Sequence, residues 1–305
     1  MNRFERSWLL FRSSLMVIAR NKELLIFPIF ISIASAVILL FFLAPAALWP
    51  TGHSFTSAEH WRALSNIFFT KGSSTGGGHQ LPVSPVAIAY VVFLYLVSMF
   101  TATFFNVAFY NEILAALSGQ PVSLARGLQY AATRWKAILM WSLFAGLIGL
   151  IIRVIEERSD IIGRIVAGLI GLAWSIASVF AIPVIVRDPE TANPVTILKK
   201  SAEIIRNAWG EGLVGYLGIG AINLVVTFAS FILIAGAATI SAKLNNFWLL
   251  GLTIAGWVVF MFLWSYLMNV ASLVYKGALF MYASEGIVSE PYDQDLLNSA
   301  WKFKR

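Results

Sequence analysis

The residues best placed to do chemistry are the few polar ones inside long charge-free runs. Asn106, Asn223 and Asn269 each stand in such a run, and Glu112 and Lys276 lie near the ends of two of them. Ionisable and polar groups at membrane depth are costly, and they mark pathways and binding sites. Asn106, Glu112, Asn269 and Lys276 could therefore form a polar cluster that takes a headgroup or a small solute. Their positions correspond. Asn106-Val107-Ala108 matches Asn269-Val270-Ala271, with Tyr110 and Glu112 after the first and Tyr275 and Lys276 after the second. On that correspondence Glu112 and Lys276 could meet as an ion pair. The plainer reading is glue between helices, because asparagine hydrogen-bonds across membrane helices.

Other constellations carry less. His53, His60 and His79 all fall in one segment, 50–85, but their spacing fits no zinc motif, and Ser73-Ser74-Thr75-Gly76-Gly77-Gly78 between them is linker-like. Gly163, Ala167, Gly171 and Ser175 recur every four residues, a small-residue face that lets helix backbones approach. Gly212, Gly215 and Gly218 are similar, and a flexible, broken transporter helix is the functional alternative for both. Glu156, Glu157 and Asp160 sit among Arg153, Arg158 and Arg164, which reads as a solvated, salt-bridged turn. The sequence contains no Ser-His-Asp set, H-E-x-x-H or Walker loop. Cysteine is absent, which removes thiolate chemistry and disulfides. No catalytic residue, cofactor or metal site is assigned.

The elements that must position these residues are membrane helices. The chain has 305 residues, 59% hydrophobic and only 12% charged. Soluble domains carry about 25% charged residues, so this surface cannot be solvated by water alone. A bilayer crossing takes roughly 20 apolar residues. Runs at 24–49, 86–116, 137–155, 162–186, 212–241 and 247–275 meet that length. The third is the shortest and needs Lys136 and Arg153 to snorkel. The first is too long for the apolar core of a signal peptide, so it reads as a retained helix. The expected fold is all-α: one integral membrane domain over 1–305, with an extracytoplasmic loop at 50–85 and a cytoplasmic tail at 284–305.

Charge sets the orientation. With the N-terminus inside, sixteen of the 22 lysines and arginines fall on inner segments and six on outer ones. Both termini are therefore expected in the cytoplasm. Trp49, Trp135, Trp209, Trp248 and Trp301 lie near expected helix ends, where the indole favours the interface. Trp141, Trp174, Trp257 and Trp264 sit deeper and should pack between helices. The net charge of +7 meets anionic headgroups on the cytoplasmic side; no nucleic-acid-binding motif is visible.

A repeat organises the crossings. Phe4, Trp8, Phe11, Leu15 and Ile18 form a helical stripe before the first crossing. Leu124, Leu128, Ala131 and Trp135 precede the third, and Leu198, Ala202, Ile205 and Trp209 precede the fifth with the same spacing. Pro121-Val122-Ser123 and Pro194-Val195-Thr196 carry helix-opening signals. The unit is a cytoplasmic-side amphipathic helix, lying apolar face down on the leaflet, followed by a membrane hairpin, used three times. A short amphipathic helix is also expected at 57–69, with Trp61, Leu64 and Phe68 on one side.

Several segments carry a family resemblance: Phe105-Asn106-Val107-Ala108-Phe109-Tyr110-Asn111, Ala173-Trp174-Ser175, Phe180-Ala181-Ile182-Pro183-Val184-Ile185-Val186, the turn Arg187-Asp188-Pro189-Glu190, Lys199-Lys200-Ser201 and Trp209-Gly210. In these the chain resembles an uncharacterised family of bacterial six-helix integral membrane proteins. It is distantly similar to the membrane domain of glycerophosphodiester phosphodiesterases. The resemblance implies a six-helix fold in a bacterial inner membrane and brings no activity or site residue with it. The expected role is non-enzymatic: scaffold, assembly or lipid homeostasis, with membrane lipids and a protein partner or second copy as the contacts. The alternatives are a permease for a small or lipophilic solute and, least favoured, a lipid-modifying enzyme.

Overall fold

A computed structural model describes residues 3–68, 84–207, 212–244 and 246–293; for 3–7, 46, 68, 86, 207, 212–219 and 221 it describes the backbone alone. Every regular element among these residues is helical. In order they are α1 (Arg3–Arg20), α2 (Ile26–Ala47), α3 (Ala58–Phe68), α4 (Pro85–Leu117), α5 (Leu124–Thr133), α6 (Trp135–Arg158), α7 (Ile161–Ala177), α8 (Ala181–Arg187), α9 (Pro194–Asn207), α10 (Gly212–Lys243) and α11 (Phe247–Glu285). A 3₁₀ turn, Lys22–Leu25, joins α1 to α2. Six helices are long and apolar enough to cross a membrane: α2, α4, α6, the α7–α8 pair, α10 and α11. His79, Trp209 and Trp301 lie outside the described residues.

Local chemistry explains most helix starts. Ser84 accepts a hydrogen bond from the Ala87 amide ahead of Pro85, which needs no amide partner of its own. Asp160 caps α7 through the Gly163 amide at 2.9 Å, and Asn246 caps α11 through that of Trp248 at 3.1 Å. The two similar openings before α5 and α9 differ in register. Ser123 caps α5, whereas Asn193 caps α9 and Pro194 is its first residue. Asparagine outcompetes threonine because its carbonyl reaches the Val195 amide at 2.9 Å, so α9 starts one turn earlier than the repeat alone predicts.

The fourth crossing is two helices. Ala181 donates to Ser178 and Val184 to Phe180, and the residues between α7 and α8 form a turn. Pro183 has no amide hydrogen, and its ring opposes the carbonyl of Val179, so a continuous helix is disfavoured there. Pro183 instead falls in the first turn of the new helix.

The core sits at one end of the bundle. Its buried side chains come from α1 (Leu10, Phe11, Val17, Ile18), the last turns of α4 (Val107–Leu117), α8 (Phe180–Val186) and the last turns of α11 (Val270–Tyr282). Here α4 touches α8 and α11, and α1 touches α10 and α11. At 33 and 39 residues, α4 and α11 are roughly 50 and 58 Å long, well beyond a hydrocarbon layer of about 30 Å. Their surplus length forms this packed end. At the far end the helices expose apolar surface on nearly all sides, as at Ile161, Ile162, Leu252 and Trp248.

The stripes on α1, α5 and α9 turn toward this core. Phe11 and Ile18 are buried in it, as is Ala131, with Leu128, Leu198 and Ile205 packed against it. Part of each apolar face thus meets the protein's own helices, a denser partner than lipid chains, while Trp8 and Trp135 stay exposed.

A charged layer at the packed end as candidate functional site

Glu112 is the centre of this layer. It lies in the last turns of α4, facing α5, and is fully buried. Its Oε1 accepts hydrogen bonds from Asn111 Nδ2 at 2.9 Å and Arg126 Nε at 3.0 Å. Its Oε2 accepts from the Ser123 amide at 2.7 Å and Arg126 Nη2 at 2.6 Å. The pairing with arginine is bidentate, the strongest geometry a carboxylate can adopt with a side chain. Arg126 also donates to the Pro121 carbonyl at 2.7 Å. Its hydrogen bonds to Glu112 push the Arg126 guanidinium further above its ordinary range. Gly127 makes the arrangement possible. A Cβ there would sit 2.7 Å from the Ala108 carbonyl oxygen, so only glycine lets α5 lie this close to α4.

Lys276 was the expected partner of Glu112, but the described salt bridge of Glu112 is to Arg126. α11 meets α4 beside both residues. A Cβ on Gly277 would lie 2.8 Å from Ile113 Cγ2. Asn106 is half-buried and Asn269 exposed, and neither side-chain amide bonds to a described residue. Asn223 does act between helices, accepting from Trp264 Nε1 at 2.9 Å. The expected four-residue cluster is thus divided, with Glu112 tied to α5 and the two amides elsewhere on their helices.

A second group locks α8. Arg134 spans four backbone carbonyls at its C-terminal end, those of Ile185, Asp188, Pro189 and Thr191. Tyr130 donates to the Val186 carbonyl. At the other end, the buried hydroxyl of Ser201 accepts the Phe180 amide at 3.0 Å. Arg187 pairs with Glu285 of α11 at 2.9 Å, and Lys200 with Asp188. The Lys200 and Thr191 hydrogen bonds hold the Asp188 carboxyl below the usual carboxylate range. Near α1, Ser14 shares a 2.8 Å hydrogen bond with Tyr292, whose burial keeps its hydroxyl protonated far above the usual phenol range. Backbone carbonyls and paired charges account for these groups.

The sequence profile of a family of unknown function, DUF6159, matches residues 86–290. The chain belongs to that family. No curated protein and no solved structure matches it. The DUF6159 segment runs from the start of α4 to Glu290 and so contains Glu112, Arg126, Arg134, Asp188, Lys200 and Ser201. In this DUF6159 member the small-residue row of α7 serves packing only in part. Ala167 is buried and Gly171 faces Ile152 of α6, but Gly163 meets its own cap turn at Ser159 and Ser175 is exposed. A four-residue step advances 40° too far per turn, so a row of four winds off the contact face. α6 carries small residues at a contact as well, where Tyr95 of α4 lies over Gly146 and Gly149 and donates to the Gly146 carbonyl. Trp141 and Trp174 stack between α6 and α7 at 6.0 Å, and Trp257 donates to Ser230. In the 50–85 segment, His60 joins α3 to the end of α2. Its Nε2 faces the Ala47 carbonyl and its Nδ1 the Thr51 hydroxyl, both at 2.7 Å, while His53 lies near Glu59.

Proposed function

We propose that this DUF6159 protein is a non-enzymatic, multi-pass protein of a bacterial inner membrane that organises lipid or a protein assembly. Both termini and the charged layer lie on the cytoplasmic side, in line with the bias of lysine and arginine. The six crossings act as three hairpins, each led by a helix whose apolar face packs on the bundle and whose cations meet anionic headgroups. The observation that carries this reading is the continuous apolar core through α4, α8 and α11. A solute carrier of the broken-helix kind places converging polar groups at the bilayer midplane. Here Glu112, Arg126, Arg134, Asp188 and Lys200 lie at one end and bond to backbone and to each other. One feature favours a permease: the break between α7 and α8. Ser201 fastens α8 at the break and Arg134 at its other end, which supports a fixed joint over a moving one.

The test compares cells with and without the protein. Altered lipid ratios or a missing membrane assembly, with solute uptake intact, is the expected result. Unchanged lipids and assemblies with a lost uptake activity would hand the role to the permease. Orientation is tested separately. The chain has no cysteine, so Thr133→Cys and Ser54→Cys can each carry the only thiol. A membrane-impermeant maleimide added to intact cells should label position 54 and spare position 133.

A further inference from the structure

A cleft of about 680 Å³ opens at the packed end, where α1, α4 and α11 all terminate. Its floor is apolar, with Val17, Leu117 and Val288. Its lips carry opposite charges, Arg20 at the end of α1 and Glu290 beyond α11. The volume falls in the range of small-molecule sites, roughly 300–1,000 Å³. We propose that this cleft binds a zwitterion with a phosphate and a primary ammonium, the chemistry of a phosphatidylethanolamine headgroup. The proposal rests on the cytoplasmic placement given above only for the ligand's source.

Three observations select that chemistry. Arg20 and Glu290 stand 3.8 Å apart and are 61% and 90% exposed, too long and too wet to be worth much as a pair. A ligand that takes both charges therefore gives up little. The C-terminal ends of three helices give the cleft partial negative charge, which favours an ammonium and, with Glu290, disfavours a bare anion. Arg20 supplies a planar fork suited to phosphate. A pure cation would meet Arg20 unopposed, while a zwitterion satisfies both lips, and its glycerol end finds the apolar floor.

The experiment uses the full chain, delipidated in detergent and offered equimolar phosphatidylethanolamine and phosphatidylglycerol, with bound lipid read by native mass spectrometry. Phosphatidylethanolamine adducts should predominate. Arg20→Ala and Glu290→Gln should each lower them about three- to fivefold, the effect of one solvent-exposed charge contact, while Arg62→Ala leaves them unchanged. Both substitutions are at exposed positions, and an unchanged melting midpoint confirms the fold. A parallel arm measures the shift in that midpoint with free phosphoethanolamine. If the free compound shifts wild type and neither variant, the zwitterion is a soluble ligand; if only the lipid binds, it is a headgroup. Adducts that follow the offered lipid ratio, or that persist in both variants, overturn the proposal, as does binding of neither compound. The detergent assay is blind to sidedness. Labelling of position 133 from outside would sink the orientation and leave the cleft chemistry standing.

Discussion

Removing Arg126 should destabilise the protein more than removing Glu112, although Glu112 is the more deeply buried. Glu112→Ala deletes a carboxylate that accepts four hydrogen bonds. Its partner can recover, since the Arg126 side chain is 40% exposed and turns to water. What remains uncompensated is chiefly the Ser123 amide, so the loss is about 2–3 kcal/mol. Arg126→Ala leaves a carboxylate with no accessible surface and only Asn111 and the Ser123 amide as donors. An uncompensated buried charge costs about 3–5 kcal/mol. The double variant Arg126→Ala, Glu112→Gln then removes the charge and should regain about 1–2 kcal/mol over Arg126→Ala alone. The assay is unfolding in mixed micelles by titration with sodium dodecyl sulfate, followed by tryptophan fluorescence, with Arg153→Ala as a surface control that should not move the midpoint. If Glu112→Gln fails to relieve Arg126→Ala, or Arg126→Ala behaves like the control, the buried pair is not what ties α5 to α4.

Gly127→Ala should cost about 1–3 kcal/mol in the same titration, because the new methyl meets a backbone carbonyl that no rotamer can move. Arg134→Lys should lose about 1–3 kcal/mol despite keeping its charge, since an ammonium cannot span four carbonyls; a wild-type midpoint would contradict the fork. Ser201→Ala should cost about 1–2 kcal/mol and speed amide exchange at Phe180, measured by hydrogen–deuterium exchange. Asp188 titrates below its unfolded value near 3.9, so its contribution is complete above that pH and declines as pH falls through the folded pKa; Asp188→Asn should flatten that acid limb of the stability curve.

The crossings were legible because a bilayer imposes a length and an apolar requirement that composition alone reveals. The third run, 137–155, is the shortest, yet α6 spans Trp135–Arg158 with Lys136 and Arg153 inside it. The partner of Glu112 was hidden by geometry. Arg126 lies fourteen residues on, across a turn, and reaches the carboxylate only because α5 folds back along α4. Gly127 was the available signal, a glycine inside a short helical stripe, where it weakens the helix unless something needs the space. The match between Asn106 and Asn269 showed which turns of α4 and α11 approach each other. It did not show which side chains meet, because helical rotation places both amides off the contact. The stripes on α1, α5 and α9 were readable as apolar faces. Periodicity cannot say whether such a face meets lipid or protein, and here part of each meets protein while Trp8 and Trp135 stay exposed.

The cohesion of this bundle is uneven along its length. Ion pairs, backbone forks and interlocked aromatic rings hold the packed end, while α10 and α11 at the far end touch chiefly one another. Lateral pressure from a bilayer would therefore bear chiefly on the arms, whose spacing is set by the lipids between them, and less on the rigid hub. A change in acyl packing or bilayer thickness acts on those arms first and reaches the hub as a change of tilt. The far ends respond to the bilayer at little cost in protein contacts, because few contacts are there to break.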